Sequence, residues 1–409
     1  MASVAMATPR DDHTKFQTAM KAGADALTKK DFVAARQDYT DALKLAPQHP
    51  TAIYRLALTN SSLGNAKGAF ALLNRIAAMG LQLPPAFGAS FAVLKGRPEF
   101  ERVRKEIARN TAALCNCSTI FDGPAQPFIA EGIAFDPRSN RLLVSSVYQR
   151  KMVAIANGRM HDFSGALPEG LSPFSITLDR KHDRVWVSAA SLAQSHGATA
   201  AQHDRSALLA FDLRNGTVIA NIAAPKGAIL GDTAIAPDDT VYTTDSKGGV
   251  YRLRRDGKAL EPVTTGLVSA QGVAISADNR TALVADYALG LVRLDLATGK
   301  LVSVIVPESV TTLGMDGMAV LTDGWFVATQ NGIAPARIVR FRLSPDWSRV
   351  TRFDVVARNA PQIADPSLLT VVGKDVYVAG ISQWASFDED RTDPARPVLS
   401  FKIVRLSTP

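Results

Sequence analysis

Cysteine is almost missing from this chain: Cys115 and Cys117, separated by one Asn, are the two present among 409 residues. A single intervening residue strains a disulfide, so the expectation is two unpaired thiols in a linker, and with no third Cys or clustered His there is no zinc site. Long apolar runs are missing as well. No stretch of eighteen apolar residues occurs, which argues against a membrane-spanning helix. The formal charge of +8 is unevenly placed, with 16 Lys and Arg against 9 Asp and Glu in residues 1–115. No Arg-rich run or basic stripe interleaved with aromatics accompanies it, so no nucleic-acid partner is expected. Gly-x-Ser-x-Gly elbows, Walker loops and dinucleotide fingerprints are also missing from any fitting context, leaving a Ser nucleophile or a phosphate cradle without support. The first residues, Met1 to Ala7, end in Ala5-Met6-Ala7, a small-x-small step without the charged and apolar regions of a signal peptide. Two readings stand: a periplasmic or secreted protein recorded without most of its signal, or chance in an Ala-rich tail of a cytoplasmic one. Residues 1–14 are accordingly read as a disordered tail or signal remnant.

What the chain has in abundance is repetition. An apolar strand, a polar turn and a second apolar strand recur six times after Ala130, as in AEGIAFDPRSNRLLVSSV from Ala130 and AQGVAISADNRTALVADY from Ala270. Anchored at Glu131, Phe174, Gly231, Gln271, Asp316 and Asp365, the copies lie 43, 57, 40, 45 and 49 residues apart. A period of 40 to 50 residues made of short strands marks the blade of a β-propeller, because one small sheet cannot bury its faces alone and must stack around a ring. The fold class is therefore mainly β, a six-bladed β-propeller over residues 114–409. The last copy offers only three strands, and Ser118 to Phe121 is the natural fourth, closing the ring. Loss of 114–122 is then expected to unfold the propeller, whereas loss of 1–110 is not.

Residues 15–113 differ in kind: Ala, Leu and Lys dominate, and apolar residues return at three and four positions, the period of a helix. Gly23, Ala35, Tyr39, Ala42 and Pro47 fit the spacing of one tetratricopeptide repeat, and Ala57, Gly64, Ala69 and Leu73 partly fit a second. A third helix from Pro98 to Ala113 caps them with Phe100, Val103 and Ile107 on one face. Such modules hold a protein partner in a groove, but a cap packed on the propeller or a dimerisation element explains the same pattern.

The turns fix strand direction, so the anchors and the ends of the second strands share one face of the ring. That face gathers Glu131, Phe174, Gly231 with Asp232, Gln271, Asp316 and Asp365 at the tunnel mouth. Around them come Tyr148, Arg150, Asp245, Asp286, Tyr287, Gln330, Asn331, Gln383 and Trp384 from the loops. Converging carboxylates repel one another, and a hard divalent cation relieves that; turn-capping Asp residues are the alternative explanation. The Ser191 to Ser206 insertion, with His196 and His203, reads as a solvated loop or a lid.

At these residues, above all Glu131-Gly132, Asp232 in LGDTAIAPDDTVYTTDS, Gln271-Gly272 and Asp316-Gly317-Met318, the chain resembles the senescence-marker-protein/gluconolactonase family, over about Phe121 to Leu406. That family's relatives include diisopropyl fluorophosphatase, paraoxonase and strictosidine synthase. The resemblance implies a divalent cation, Ca²⁺ first and Mg²⁺, Mn²⁺ or Zn²⁺ as alternatives, held by Glu131, Gln271 and Asp316, with Asp232 as the catalytic base. Tyr148, Arg150, Phe174, Asp286, Tyr287, Asn331, Asp365, Gln383 and Trp384 would then face the substrate. Two positions depart from the family pattern: its third-blade Asn is Gly231, and its fourth-blade Asn is Gln271, whose extra methylene moves the amide out by about 1.5 Å, one C–C bond.

Two functions follow. One is a metal-dependent hydrolase of a lactone or related ester; the other is a non-catalytic propeller that binds a ligand or protein while the helices recruit a partner. A lyase or condensing enzyme has no distinctive residue in its favour.

Overall fold

The computed structural model describes residues 8–388 and 390–407. The Ala5-Met6-Ala7 step lies outside them. Six helices come first: α1 (Pro9–Thr28), α2 (Phe32–Leu45), α3 (Pro50–Ser62), α4 (Ala66–Ala78), the short α5 (Phe87–Ser90) and α6 (Pro98–Asn110). Helix α1 starts at Pro9, where Thr8 and Asp11 cap each other reciprocally, so residues 9–14 belong to the helix rather than to a tail. Asp31 and Asn65 cap α2 and α4 in the same manner by accepting from the third backbone N–H. Gly23 allows α1 to close on α2, since a Cβ there would stand 2.8 Å from the Tyr39 ring.

Six antiparallel sheets follow, each a propeller blade: five have four strands, and blade 5 has a short fifth. Blades 1 to 5 take their strands in chain order outward from the tunnel. The sixth is composite, with Cys117–Asp122 on its outer edge against Lys402–Ser407, so the two ends of the propeller are sewn into one sheet as the spacing predicts. Every first hairpin turns on a left-handed residue at the expected place: Asn140, Asp183, Asp239, Asn279, Gly324 and Gly373.

The two cysteines form a disulfide, correcting the expectation of free thiols. Leu114 and Cys115 add to the outer edge of blade 5, opposite Arg358 and Ala357, and Cys117 begins the closing strand of blade 6. The chain thus reverses at Asn116 between two blades, which brings the Cα atoms to 5.2 Å, inside the range a disulfide needs.

The helices lie against the mouth face of blades 3 to 5. Arg10 donates to the Leu267 and Lys247 carbonyls, Gln48 to Val306, Arg75 to Glu308, and the Gln82 N–H to Ala334. From the propeller side, Arg337 donates to Met79 at 2.8 Å, and Arg358 to Ala112 and Arg109. Four arginines, Arg10 and Arg75 from the helical region and Arg337 and Arg358 from blade 5, meet backbone carbonyls across this junction.

Candidate functional site

A repeated irregularity builds the mouth. In blades 1 to 5 the innermost strand shifts register at its start, between Ala130 and Ile133, Pro173 and Ile176, Leu230 and Thr233, Ala270 and Val273, and Met315 and Met318. Such bulges re-aim side chains at sheet ends, and the residues inside them are the anchors and their successors. Blades 1, 4 and 5 have glycine as successor, and necessarily so. A Cβ on Gly132 would stand 2.0 Å from the Phe174 carbonyl, and one on Gly272 2.5 Å from that of Asp316. Blade 3 departs from this by carrying Asp232.

A cavity of about 730 Å³ opens over these anchors. Glu131, Phe174, Gly231, Gln271 and Asp316 line it, together with Tyr287, Asn331 and Trp384 from the loops. Asp232 lies elsewhere: it faces a separate tunnel cavity of about 210 Å³, among Thr233, Ser175, Thr177 and the apolar inner strands. The catalytic candidate therefore sits beneath the mouth rather than on its wall, though near enough for the Asp316 charge to act on it.

Burial favours the protonated form of each acid, and the Asp316 charge adds to that effect on Glu131 and Asp232. Burial, then Asp316, raises Glu131 well above the usual carboxylate range, against the pull of the Trp384 indole N–H that donates to its Oε2. Asp232 is pushed up to about 8, by burial first and Asp316 second. Burial raises Asp316 too, opposed by the Asn331 amide donating to its Oδ2 at 2.8 Å. Asn331 is itself tied to the Pro366 carbonyl at 3.1 Å and receives the Tyr287 hydroxyl at 3.1 Å. Burial and the Asp316 and Glu131 charges raise that phenol to about 12. Among the described residues, no Lys or Arg lines the cavity.

These carboxyls without a Lys or Arg partner, with oxygen as the donor atom on Glu131, Gln271, Asp316 and Asn331, fit a hard divalent cation in chemistry. The fit is in chemistry rather than in a ready-made cage: among the described residues no three acid, His or Cys side chains draw together closely enough to enclose an ion. The amides must contribute. Gln271 donates to Ser269 Oγ at 3.2 Å, and its Oε1 reaches to 3.7 Å from where a Cβ at position 231 would stand. The longer Gln side chain leans into the space that Gly231 leaves.

Five candidate substrate residues do other work. Asp286 is fully buried and accepts from the backbone N–H groups of Val268, Ser269, Ala288 and Leu289, a loop clasp. Gln383 spans Phe128, Ile129, Gln126 and Leu399, clamping blade 1 to blade 6. Asp365 accepts from the Ser382 hydroxyl and the Ala385 N–H and so shapes the Trp384 loop. The Arg150 guanidinium is spent on the Leu167 and Leu171 carbonyls. Tyr148 stacks on His196 with ring centroids 5.0 Å apart.

The wall that replaces them comes from the blade 2 insertion: Ser191, Leu192, Ala193, Gln194, His203 and Asp204. It is bound to the blade 6 loop by Thr392 donating to the Ala193 carbonyl at 2.6 Å and by Gln194 donating to that of Asp388. The insertion's length was its only signal in the sequence.

Comparison with solved structures agrees with the propeller fold. A protein of unknown function from Bacteroides thetaiotaomicron superposes with a TM-score of 0.51 at 12% identity, over 72% of this chain and 76% of that one. A gluconolactonase from Xanthomonas campestris gives 0.49 at 14%, over 73% and 98%, and a luciferin-regenerating enzyme 0.49 at 13%, over 73% and 96%. At these identities the likeness is one of fold alone. Neither a protein-family profile nor a curated protein sequence matches the chain.

Proposed function

We propose that the chain is a metal-dependent hydrolase that opens a lactone or related ester at the tunnel mouth. The observation that carries this reading is the set of buried acids, Glu131, Asp232 and Asp316, all raised by burial, with Glu131 and Asp232 raised further by the Asp316 charge, and no Lys or Arg among the described residues lining the cavity. Asp286 is satisfied by four backbone N–H groups, whereas Glu131 and Asp316 accept from the Trp384 and Asn331 side chains and carry no cationic partner among the described residues. Perturbed acids converging in a cleft are the mark of a working site.

Glu131 and Asp316, with Gln271 at the Gly231 gap, would hold the cation, which when bound supplies a Lewis acid for the ester carbonyl. Trp384 orients Glu131 and Asn331 orients Asp316. Asp232, protonated near neutrality while its neighbours are uncompensated, becomes a base able to take a proton from water once their charge is offset. The Cys115–Cys117 disulfide supports an oxidising compartment, periplasmic or extracellular.

The test is lactone hydrolysis by dialysed protein. Activity should vanish on chelation, return with Ca²⁺, Mg²⁺, Mn²⁺ or Zn²⁺, and be absent from Asp316→Ala; hydrolysis that survives both treatments rejects the reading. A second reading, a binding propeller without catalysis, draws on Gly231, which brings no side-chain ligand. Retained ligand binding with no turnover under any metal, and a protein that co-purifies only when the helices are present, would favour it.

A further inference from the structure

The mouth's own walls narrow what can enter. Phe174, from the blade 2 anchor, and Trp384, from the blade 6 loop, face each other with ring planes 24° apart and centroids 6.5 Å apart. Both are half-buried and line the cavity directly above Glu131. The Trp384 ring and the Phe174 backbone are each tied down. The Trp384 indole is held by Glu131 at Nε1 and, through its backbone N–H, by Ser382 Oγ at 3.2 Å, and the Phe174 carbonyl accepts from Ser145 at 2.8 Å. Leu192 and Ile229 continue the apolar side of the same space. The same lining carries Glu131, Asp316, Asp204 and His203, with no Lys or Arg among the described residues.

We infer that the mouth selects a ring-bearing ligand that is uncharged or cationic, seated against the Phe174 and Trp384 rings, and turns away anions. Flat apolar faces gain most against aromatic walls, by dispersion and by offset stacking. A carboxylate or phosphate ligand would find no Lys or Arg to pair with among the described lining residues and would lose its hydration for nothing. A cationic ring, by contrast, gains from both the aromatic faces and the acids. The class of substrate is then an ester or lactone fused to or substituted by an aromatic ring, in preference to a sugar acid or a phosphorylated compound. This rests on the mouth being the ligand site and deepens the hydrolase reading without depending on turnover.

The experiment measures binding with hydrolysis switched off. Full-length protein in chelator is titrated, by ligand-detected NMR or calorimetry, with 3,4-dihydrocoumarin, δ-valerolactone, benzoate and benzyltrimethylammonium. Dihydrocoumarin should bind at least about tenfold more tightly than valerolactone, a difference of about 1.4 kcal/mol. Benzyltrimethylammonium should exceed benzoate by a similar factor. Phe174→Leu, which keeps the cavity apolar and leaves the Glu131 to Trp384 bond alone, should erase the advantage of the aromatic lactone while leaving valerolactone within about threefold. Equal affinity for the two lactones, benzoate binding as tightly as the ammonium, or an unchanged profile in Phe174→Leu would each overturn the inference. If the preferences hold and no metal restores hydrolysis, the hydrolase reading fails while this one stands.

Discussion

Two buried charges in this protein are handled in opposite ways. Arg337, in blade 5, has no exposure and no acidic partner among its contacts, and burial followed by the nearby Arg358 charge lowers it to about 9. Its charge is met instead by dipoles. Nη1 donates to the carbonyl of Met79, the C-cap of α4, where the helix is partially negative, and Nε donates to Gln330 Oε1 at 2.8 Å. At and beneath the mouth, Glu131, Asp232 and Asp316 stay raised by burial even though Trp384 donates to Glu131 and Asn331 to Asp316. The Arg337 site is answered on Nη1 and Nε, with Nη2 buried and unpartnered among the described residues, and reads as structural, whereas the acid site is left open for something to bind. The two lie close in sequence: Gln330, which receives Arg337 and also donates to the Thr311 and Leu313 carbonyls, immediately precedes Asn331, which holds Asp316.

The largest expected effect tests the Arg337 side. Removing residues 1–112 from the chain takes the Met79 carbonyl from Arg337, where a hydrogen bond to a charged group contributes about 1.5–3 kcal/mol, and removes the other carbonyl contacts across the junction with it. The truncated propeller should therefore be insoluble, or melt at least about 10 °C below the full chain, which reverses the expectation from sequence that it stands alone. Arg337→Met separates this from a general loss of contacts. It should lower the melting temperature of the full chain, by orphaning Gln330 and Met79, yet raise that of the truncated chain. A truncation that melts where the full chain does would show that the helices are a detachable module and the comparison is wrong.

The open side is tested next by pH and cation together. The folded acids keep their protons to higher pH than in the unfolded chain, where Asp titrates near 3.9, so folding binds protons. Their contribution is therefore most favourable below about pH 4 and is lost as pH rises through about 8, where Asp232 ionises. In chelator the melting temperature should fall by about 5 °C or more between pH 5 and 8.5, and Asp232→Asn should flatten that fall. A divalent cation should raise the melting temperature more at pH 8.5 than at pH 5, because its binding displaces the protons. A cation effect that does not depend on pH would mean that it binds elsewhere.

The sequence revealed the ring and its closure because both are written in local chemistry: an alternating apolar pattern, a left-handed residue in each hairpin turn, and a missing fourth strand supplied by Ser118 to Phe121. The anchors were legible for the same reason, one per repeat. What stayed hidden depends on who meets whom. Asp286 and Gln383 look like site residues by position, and only their backbone partners show that they clasp loops. Asp232 sits one residue past the anchor, and the bulge turns it into the tunnel instead of the mouth. The role of Arg337 could not be read at all, since the helix that answers it lies some 250 residues earlier in the chain.

A smaller effect is expected from restoring the family pattern at the two departures. If Gln271 Oε1 stands in for the side chain missing at Gly231, then Gln271→Asn alone should weaken cation binding several-fold, by withdrawing the amide from that space. Gly231→Asn alone brings a Cβ to 3.0 Å from Thr244 Oγ1 and crowds Gln271, so it should gain little. The double substitution should bind more tightly than either single one, a coupling that calorimetry reads directly. Additive effects would mean that the two positions are unrelated and that Gln271 does not fill the gap.

The smallest effect concerns the seam itself. A disulfide between residues two apart closes a very short loop, and the entropy it removes from the unfolded chain corresponds to only about 1–2 kcal/mol. Reduction, or Cys115→Ser with Cys117→Ser, should lower the melting temperature of the full chain by a few degrees and leave ligand affinity unchanged, because Asn116 lies on the outer edge of blades 5 and 6, away from the mouth. The closing strand keeps its backbone ladder to Lys402–Ser407 whether or not the sulfurs are joined. A fall as large as that expected from losing the helices would instead mean that the turn at Asn116 holds the ring shut, and that the sulfur bridge, more than the strand pairing, closes the propeller.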